Sequence, residues 1–446
     1  MSSSKKNLTL AVAVAAAVAA PSVFATNGMN MQGYGPIAYG MGGASMAYDN
    51  GTAATMNNPA TLGLMGAGNR LDVALGVLMP DVSAETGGMK ATSGGDQYLM
   101  PAVGYAHKEG ALTYGFGIFA QGGMGTEYAA DTFMAMGSGQ DVRSELGVGR
   151  LIFPIAYNVD SNLTVGGSID YVWATLDLKM AATGPQFAGL VTSCSGGTAV
   201  TGCAALGGLA AAPWARIDFS GGGDFSGAAT GTGFAGKLGA VYKFSNELSV
   251  GATYHSKTSL SDLETGSSDA SLSAPSGTLG TGKIKVRDFE WPATYAIGVA
   301  WNASKELMVA ADIKRIEWKD VMKDFKMTYE GALAGASDVV LDASLPQNWE
   351  NQTVTQIGVA YKMSDPLTLR AGINHASSQI PDQYVNPLFP AIMETHYTVG
   401  LGYAFDKASA FNAGIAVAPQ VTATDANGVT SKSGGTSFQL MYTSQF

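Results

Sequence analysis

Apolar and polar residues alternate strictly along recurring stretches of about ten residues. In RLDVALGVLM, Leu71, Val73, Leu75, Val77 and Met79 share one side, and Asp72, Ala74 and Gly76 share the other. NLTVGGSIDYVW sets Leu163, Val165, Ile169, Tyr171 and Trp173 opposite Thr164, Gly166, Ser168 and Asp170. A period of two puts successive side chains on opposite faces of a strand, and one apolar face at this length suits a tilted strand in contact with lipid. Short polar stretches at Lys108 to Gly110, Asn158 to Asn162, Ser245 to Glu247, Asn302 to Glu306, Ser364 to Pro366 and Asp406 to Ser409 each separate two such segments and read as hairpin turns. Six hairpins account for twelve strands, and the segments at Leu71 and SFQLMYTSQF add two. The expected fold is therefore all-β, a 14-stranded antiparallel transmembrane β-barrel, because backbone groups in hydrocarbon must all be paired and only closure removes the edges.

The remaining seven connections are longer, the longest running from about Met180 to Gly231. Short turns at one end and long loops at the other follow the outer-membrane pattern, periplasmic and external respectively. Phe438, Leu440 and Tyr442 alternate toward the carboxy-terminal Phe446, a pattern resembling the signal read by outer-membrane insertion machinery. That machinery and outer-membrane lipid are the expected macroscopic partners. Trp291 and Trp301 flank Tyr295, Ile297 and Val299 on one parity and are expected in interfacial girdles.

The first part of the chain differs. Lys5 and Lys6, the apolar run Leu8 to Ala20, and Val23-Phe24-Ala25 make residues 1–25 a secretory signal peptide, with the mature chain starting near Thr26. Residues 26–68 carry no sustained alternation but much glycine, with Tyr34, Tyr39 and Tyr48 interspersed. They read as a compact, turn-rich N-terminal plug (hatch) inside the lumen of the barrel formed by residues 69–446. Lumen-facing positions are small: Gly76, Gly166, Gly239, Gly251, Gly298, Gly358, Gly400 and Gly414. Glycine weakens strands, so either something packs closely against the wall there or these positions relieve curvature.

Composition narrows the function classes. Of 446 residues 13% are charged and 59 are glycine, unlike a compact enzyme. Without the two leader lysines, 23 basic face 35 acidic residues, a net charge of −12 that argues against nucleic acid. Cys194 and Cys203 stand in CSGGTAVTGC; export to an oxidising compartment favours a disulfide over two free thiols. No metal site is expected, since no histidine stands near them and four ligands are usual.

For chemistry, the longest loop offers Phe187, Leu190, Leu206, Trp214 and Phe219, and the loop after the third strand offers Tyr128, Phe133, Met134 and Met136. These residues either bind an apolar ligand or pack the loops against one another. By parity Arg150, Lys237 and Arg370 point inward, to meet a ligand carboxylate or to pair with an acid such as Asp72 or Glu290. GTGFAGKL lacks the Ser or Thr that a P-loop places after its lysine, and KLGAVYKF continues as strand. His255, Ser256 and Asp262 carry no acyl-transfer motif, so no catalytic residues and no cofactor are expected.

The stretches YGMGGASMAYDNGTAATMNNPATLG, YGFGIFAQGGMGTEY, WPATYAIGVAW and NWENQTVTQIGVAYKMSDPLTLRAGINHASSQIPDQ resemble, in this order, the FadL family of outer-membrane transporters for long-chain fatty acids and hydrocarbons. The plug motif of that family falls here on Asn58, Pro59 and Ala60. The resemblance implies passive transport of a hydrophobic small molecule. The ligand is captured in a groove among external loops, moves to a deeper pocket, and leaves through a side opening controlled by the plug near a kink in the third strand. Here that strand is Leu112 to Phe119, with Gly115 and Gly117 as candidate kink positions beside Gly122 and Gly123. The implied location is the outer membrane of a Gram-negative bacterium. A water-filled general porin is the alternative, and an outer-membrane lipid hydrolase a weaker one.

Overall fold

A computed structural model describes residues 27–221 and 227–446; the leader at residues 1–25 and its cleavage point near Thr26 lie outside the described residues. The alternating stretches form strands of one antiparallel sheet that curls until its first and last members meet. Gly68–Thr86 pairs with Thr430–Gln445 from Arg70↔Gln445 to Glu85↔Thr430. The six short turns stand where the pattern places them, for example between Glu109 and Leu112, between Lys243 and Leu248, and between Ala404 and Ser409.

The expectation of fourteen strands is corrected: among the described residues the sheet holds 23 strands. Strands beyond that count, among them Val191–Ser195, Ala215–Phe219, Gly277–Arg287, Asp324–Leu333 and Ala336–Pro346, lie within the long connections and extend the wall at that end. Counting from tight turns misses them because no short turn bounds them on the expected side. Their alternation is also broken by register shifts, at Leu272/Ser273 and Gly331/Leu333.

Outward positions match the alternation. Leu238, Ile297, Ile357 and Val399 are exposed in a band, with Tyr242, Trp301, Tyr361, Tyr403 and Tyr442 toward the short turns and Tyr171, Tyr254, Tyr295 and Tyr397 toward the other end. Such aromatic girdles mark the two membrane interfaces. Trp291 is not among them. It precedes the strand Thr294–Asn302, is fully buried, and turns inward, because Pro292 interrupts the pattern before the strand begins.

Residues 27–65 run inside the bore, nearly all of them buried, as a helix at Pro36–Tyr39 and 3₁₀ turns at Thr52–Thr55 and Pro59–Leu64. Wall carboxylates hold the backbone: Asp312 accepts from Ser45 N (2.6 Å) and Met46 N (3.2 Å), and Asp72 from Thr52 N (2.7 Å). Wall glycines admit it. A Cβ at Gly166 would lie 2.7 Å from Ala60 N, one at Gly358 2.6 Å from Met41 Cα, and one at Gly400 3.0 Å from Gly40 Cα. Gly76 and Gly298 instead face the wall side chains Met100 and Asp312. The small residues on the inner face are therefore largely a contact surface for the leading segment.

Candidate functional site

Asn58 caps the turn Pro59–Leu64, its Oδ1 accepting from Ala60 N at 3.1 Å. Its Nδ2 donates to Met46 O (2.8 Å) and, across to the wall, to Ala240 O (3.3 Å). One side chain thus closes the turn, ties it to the preceding loop and fixes both to the barrel. Pro59 fits the first helical position, where no N–H is needed.

Among the described residues, the wall is incompletely paired along the strand Leu112–Tyr128. Tyr98–Glu109 bonds to Leu112–Tyr128 only from Glu109↔Leu112 to Val103↔Ile118. Beyond Ile118 the second strand keeps only its other neighbour, Val142–Asn158, and there a register shift between Ala120 and Gly122 leaves Gln121 as an extra residue. A bulge of this kind bends the strand. Gly115 and Gly117 lie within the part paired to Tyr98–Glu109, and the irregularity falls at Gln121, beside Gly122 of the same glycine group. The open edge is satisfied from inside by the leading segment: Gly123 N donates to Met29 O (3.1 Å), Asn30 bridges Gly122, and Tyr34 Oη donates to Gln121 O (2.6 Å). At the far end Gly94 N donates to Glu127 O at 2.7 Å. Met31, Tyr34, Ala53, Met100, Ala102 and Phe119 line a small cavity of ≈30 Å³ behind the gap.

Two of the predicted inward cations meet at this bulge. Arg150 donates through Nε to the Gln121 side chain, through Nη1 to Asp170 (2.9 Å) and through Nη2 to Thr258 Oγ1 (2.7 Å), while Lys237 also pairs with Asp170. Asp170, fully buried, takes Ser168 Oγ on its other oxygen at 2.6 Å. Burying charge is tolerable only with such saturation. The partner is Asp170 rather than Asp72 or Glu290: Asp72 serves the plug backbone, and Glu290 pairs with Lys257. Asp170 was legible as an acid on the inward parity of a membrane strand, a rare and costly placement. Arg370 lies apart, near the short-turn end, bonded to Asn412 Oδ1 at 3.2 Å.

At the long-connection end the loops pack into a large apolar core that caps the bore. Phe187 and Leu190 line an apolar cavity of ≈20 Å³ with Met180, Ile217 and Tyr329. Leu206 lines a more open one of ≈370 Å³ with Leu209, Pro213, Leu279 and Leu333. Tyr128, Met134 and Phe219 are buried in the cap, Tyr128 Oη donating to Pro387 O at 2.9 Å, and Phe133 packs against it. Met136 and Trp214 are half-buried and line neither cavity. Cys194 and Cys203 are disulfide-bonded within the cap. Asp342 joins strands there, bonding Thr328 Oγ1 (2.6 Å) and Ser193 Oγ (2.8 Å); these hydroxyls, with Arg287 nearby, hold its carboxyl below the usual range. Between cap and plug stand three tryptophans edge to face, Trp291 to Trp318 at 5.6 Å and Trp318 to Trp349 at 5.2 Å, with Trp291 Nε1 donating to Asn30 Oδ1 at 2.8 Å. Trp318 and Trp349 were not singled out in the sequence, because the segments carrying them show no alternation.

Known structures share this overall fold. The structure of the P. putida toluene transporter TodX is 32% identical, over 93% of this chain and 99% of that one, with a TM-score of 0.82. The Ralstonia pickettii toluene transporter TbuX is also 32% identical, over 94% and 99%, with a TM-score of 0.77. A Pseudomonas aeruginosa FadL homologue at 16% identity, covering 94% and 100% with a TM-score of 0.72, shares the fold. An uncharacterised protein from the phosphoenolpyruvate carboxykinase gene 5′ region of Chlorobium limicola is 41% identical over 105 residues, 23% of this chain and 50% of that one, so the chain spans about half the length of that relative. The family described as outer membrane protein transport protein (OMPP1/FadL/TodX) matches residues 12–445. The closed, plugged barrel and this match agree: the chain belongs to that family of outer-membrane transport proteins.

Proposed function

We propose that this protein passes small, uncharged hydrophobic molecules across the outer membrane without an energy source, taking them up in the external cap and releasing them sideways through the wall beside Gln121. The observation that carries this reading is the open edge of Leu112–Tyr128, whose hydrogen bonds are completed by the plug's leading turn instead of a neighbouring strand. Withdrawal of Met29 to Tyr34 would leave an apolar-lined opening at membrane depth. An apolar solute is held back by the polar outer leaflet surface, so each stage of its path must replace water with apolar lining. Leu206 and its neighbours supply the first stage, Phe187 and Leu190 the second, and Met31, Met100 and Phe119 the last.

Two relatives at 32% identity are named toluene transporters, which supports monoaromatic hydrocarbons as the substrate class. The engagement of Arg150 through all three of its nitrogens supports an uncharged ligand over a carboxylate on this route. The test is Ala102→Trp, which fills the cavity behind the gap from the wall side. Uptake of labelled toluene by cells expressing the variant falls to background while the barrel still assembles. Toluene uptake at the wild-type rate would refute the lateral route.

A further inference from the structure

A further cavity, of ≈230 Å³, opens at the short-turn end and shares no lining residue with the cavity behind the wall gap. Its floor comes from the turn at Asp365 and Pro366, its wall from Arg370, Gly402, Tyr403, Ala410 and Asn412, and its ceiling from Ile37, Asp49 and Gly51 of the plug. Among the described residues every other arginine has a carboxylate within ion-pair distance: Arg70 with Asp49, Arg143 with Glu145, Arg150 with Asp170, Arg216 with Asp218, Arg287 with Asp342 and Arg315 with Glu317. Arg370 has none, and its hydrogen bond to a neutral amide leaves its charge uncompensated.

The placement is built in. A Cβ at Gly402 would lie 3.0 Å from Arg370 Nη1 and 3.1 Å from Nη2, and one at Gly40 of the plug 3.3 Å from Arg370 Cβ. The side chain thus lies along a glycine-faced channel and presents its guanidinium to the cavity. The other charged groups there are already matched: Asp49 receives both Arg70 nitrogens at 2.6 and 2.7 Å, and Asp365, fully exposed, pairs with Lys362 at 3.0 Å. Arg370 is half-buried and faces the open cavity with no carboxylate partner, and its planar fork suits a carboxylate.

We infer that this cavity binds a small organic carboxylate from the periplasmic side, its charge on Arg370 and its apolar body against Ile37, Ala404 and Ala410. Since plug residues form the ceiling, the occupant binds only the docked plug and stabilises it by linkage. The site lies apart from the lateral route, with which it shares no lining residue.

The test uses the full chain in detergent, titrated calorimetrically with sodium benzoate. Saturable one-to-one binding is expected, weakened at least about tenfold by Arg370→Gln. Benzyl alcohol, similar in size and uncharged, does not bind, and Arg315→Gln on the outer face leaves benzoate affinity unchanged. If Arg370→Gln assembles poorly, Gly402→Ala, which pushes the guanidinium aside, gives the same loss. Equal benzoate affinity in wild type and variants, equal binding of inorganic phosphate, or no saturable binding by the wild type would each overturn the assignment. Toluene uptake by Arg370→Gln stays at the wild-type rate, so failure of this site and failure of the lateral route are read separately.

Discussion

Replacing Asn58 with alanine removes three interactions at once without touching a strand. The cap on Ala60 N, 3.1 Å long, contributes about 1 kcal/mol. The bonds to Met46 O and Ala240 O, at 2.8 and 3.3 Å, contribute about 1 kcal/mol each in a site from which water is excluded. The loss is about 3 kcal/mol, or roughly a hundredfold in the population of the undocked turn. It falls on the plug alone, since the sheet pairs through its own backbone and Gly239, where the side chain nests, carries nothing that needs filling. Hydrogen exchange by mass spectrometry on the detergent-solubilised protein reads this directly: peptides covering residues 45–64 lose protection by about two orders of magnitude while wall strands keep theirs. Unchanged protection over 45–64, or equal loss in the wall, would refute the reasoning.

Tyr34→Phe deletes the bond to Gln121 O, worth about 1 kcal/mol, and should raise toluene uptake by up to about fivefold by loosening the plug at the bulge; an unchanged rate counts against Tyr34 as a tie. Arg150→Met leaves Lys237 as the one cation on Asp170 and should destabilise the barrel by about 3–5 kcal/mol, seen as a lower temperature for loss of the heat-modifiable band on gels. Cys194→Ser opens a loop of about ten residues and costs about 2–3 kcal/mol locally, so protease cleavage rises between residues 182 and 229 while the wall stays intact. Asp342 has a carboxyl held below its ordinary range by Thr328 and Ser193, so its contribution is complete above the unfolded value of about 4 and is lost as pH falls through the lower folded value. Protection factors over 336–346, corrected for the intrinsic pH dependence of amide exchange, should therefore fall on acidification below about pH 4 and stay constant from there to neutrality.

Legibility followed the range of the interactions. Asn58, Pro59 and Ala60 announce a capped turn through local chemistry, and the inward parity of Gly166, Gly239, Gly251, Gly358 and Gly400 announces a surface that something approaches closely. Arg150 and Lys237 were correctly placed inside by parity, but their partner was not, because Asp170 reaches Lys237 only through the pairing Ser168↔Lys237 of two strands distant in sequence. Trp291 was misplaced because parity was carried across Pro292, beyond the end of the strand.

Alternation, turn residues and glycine parity determined by themselves that this chain forms a lipid-facing wall with short turns at one end and an element inside it, since each depends on neighbours a few residues apart. The number of strands in the completed sheet, the bulge at Gln121, the ring of partners around Asp170 and the unmatched guanidinium of Arg370 were decided only on closure. Each is a property of register between segments far apart in the chain, and register is chosen by the sum of contacts around the whole ring and against the plug, which no single segment encodes.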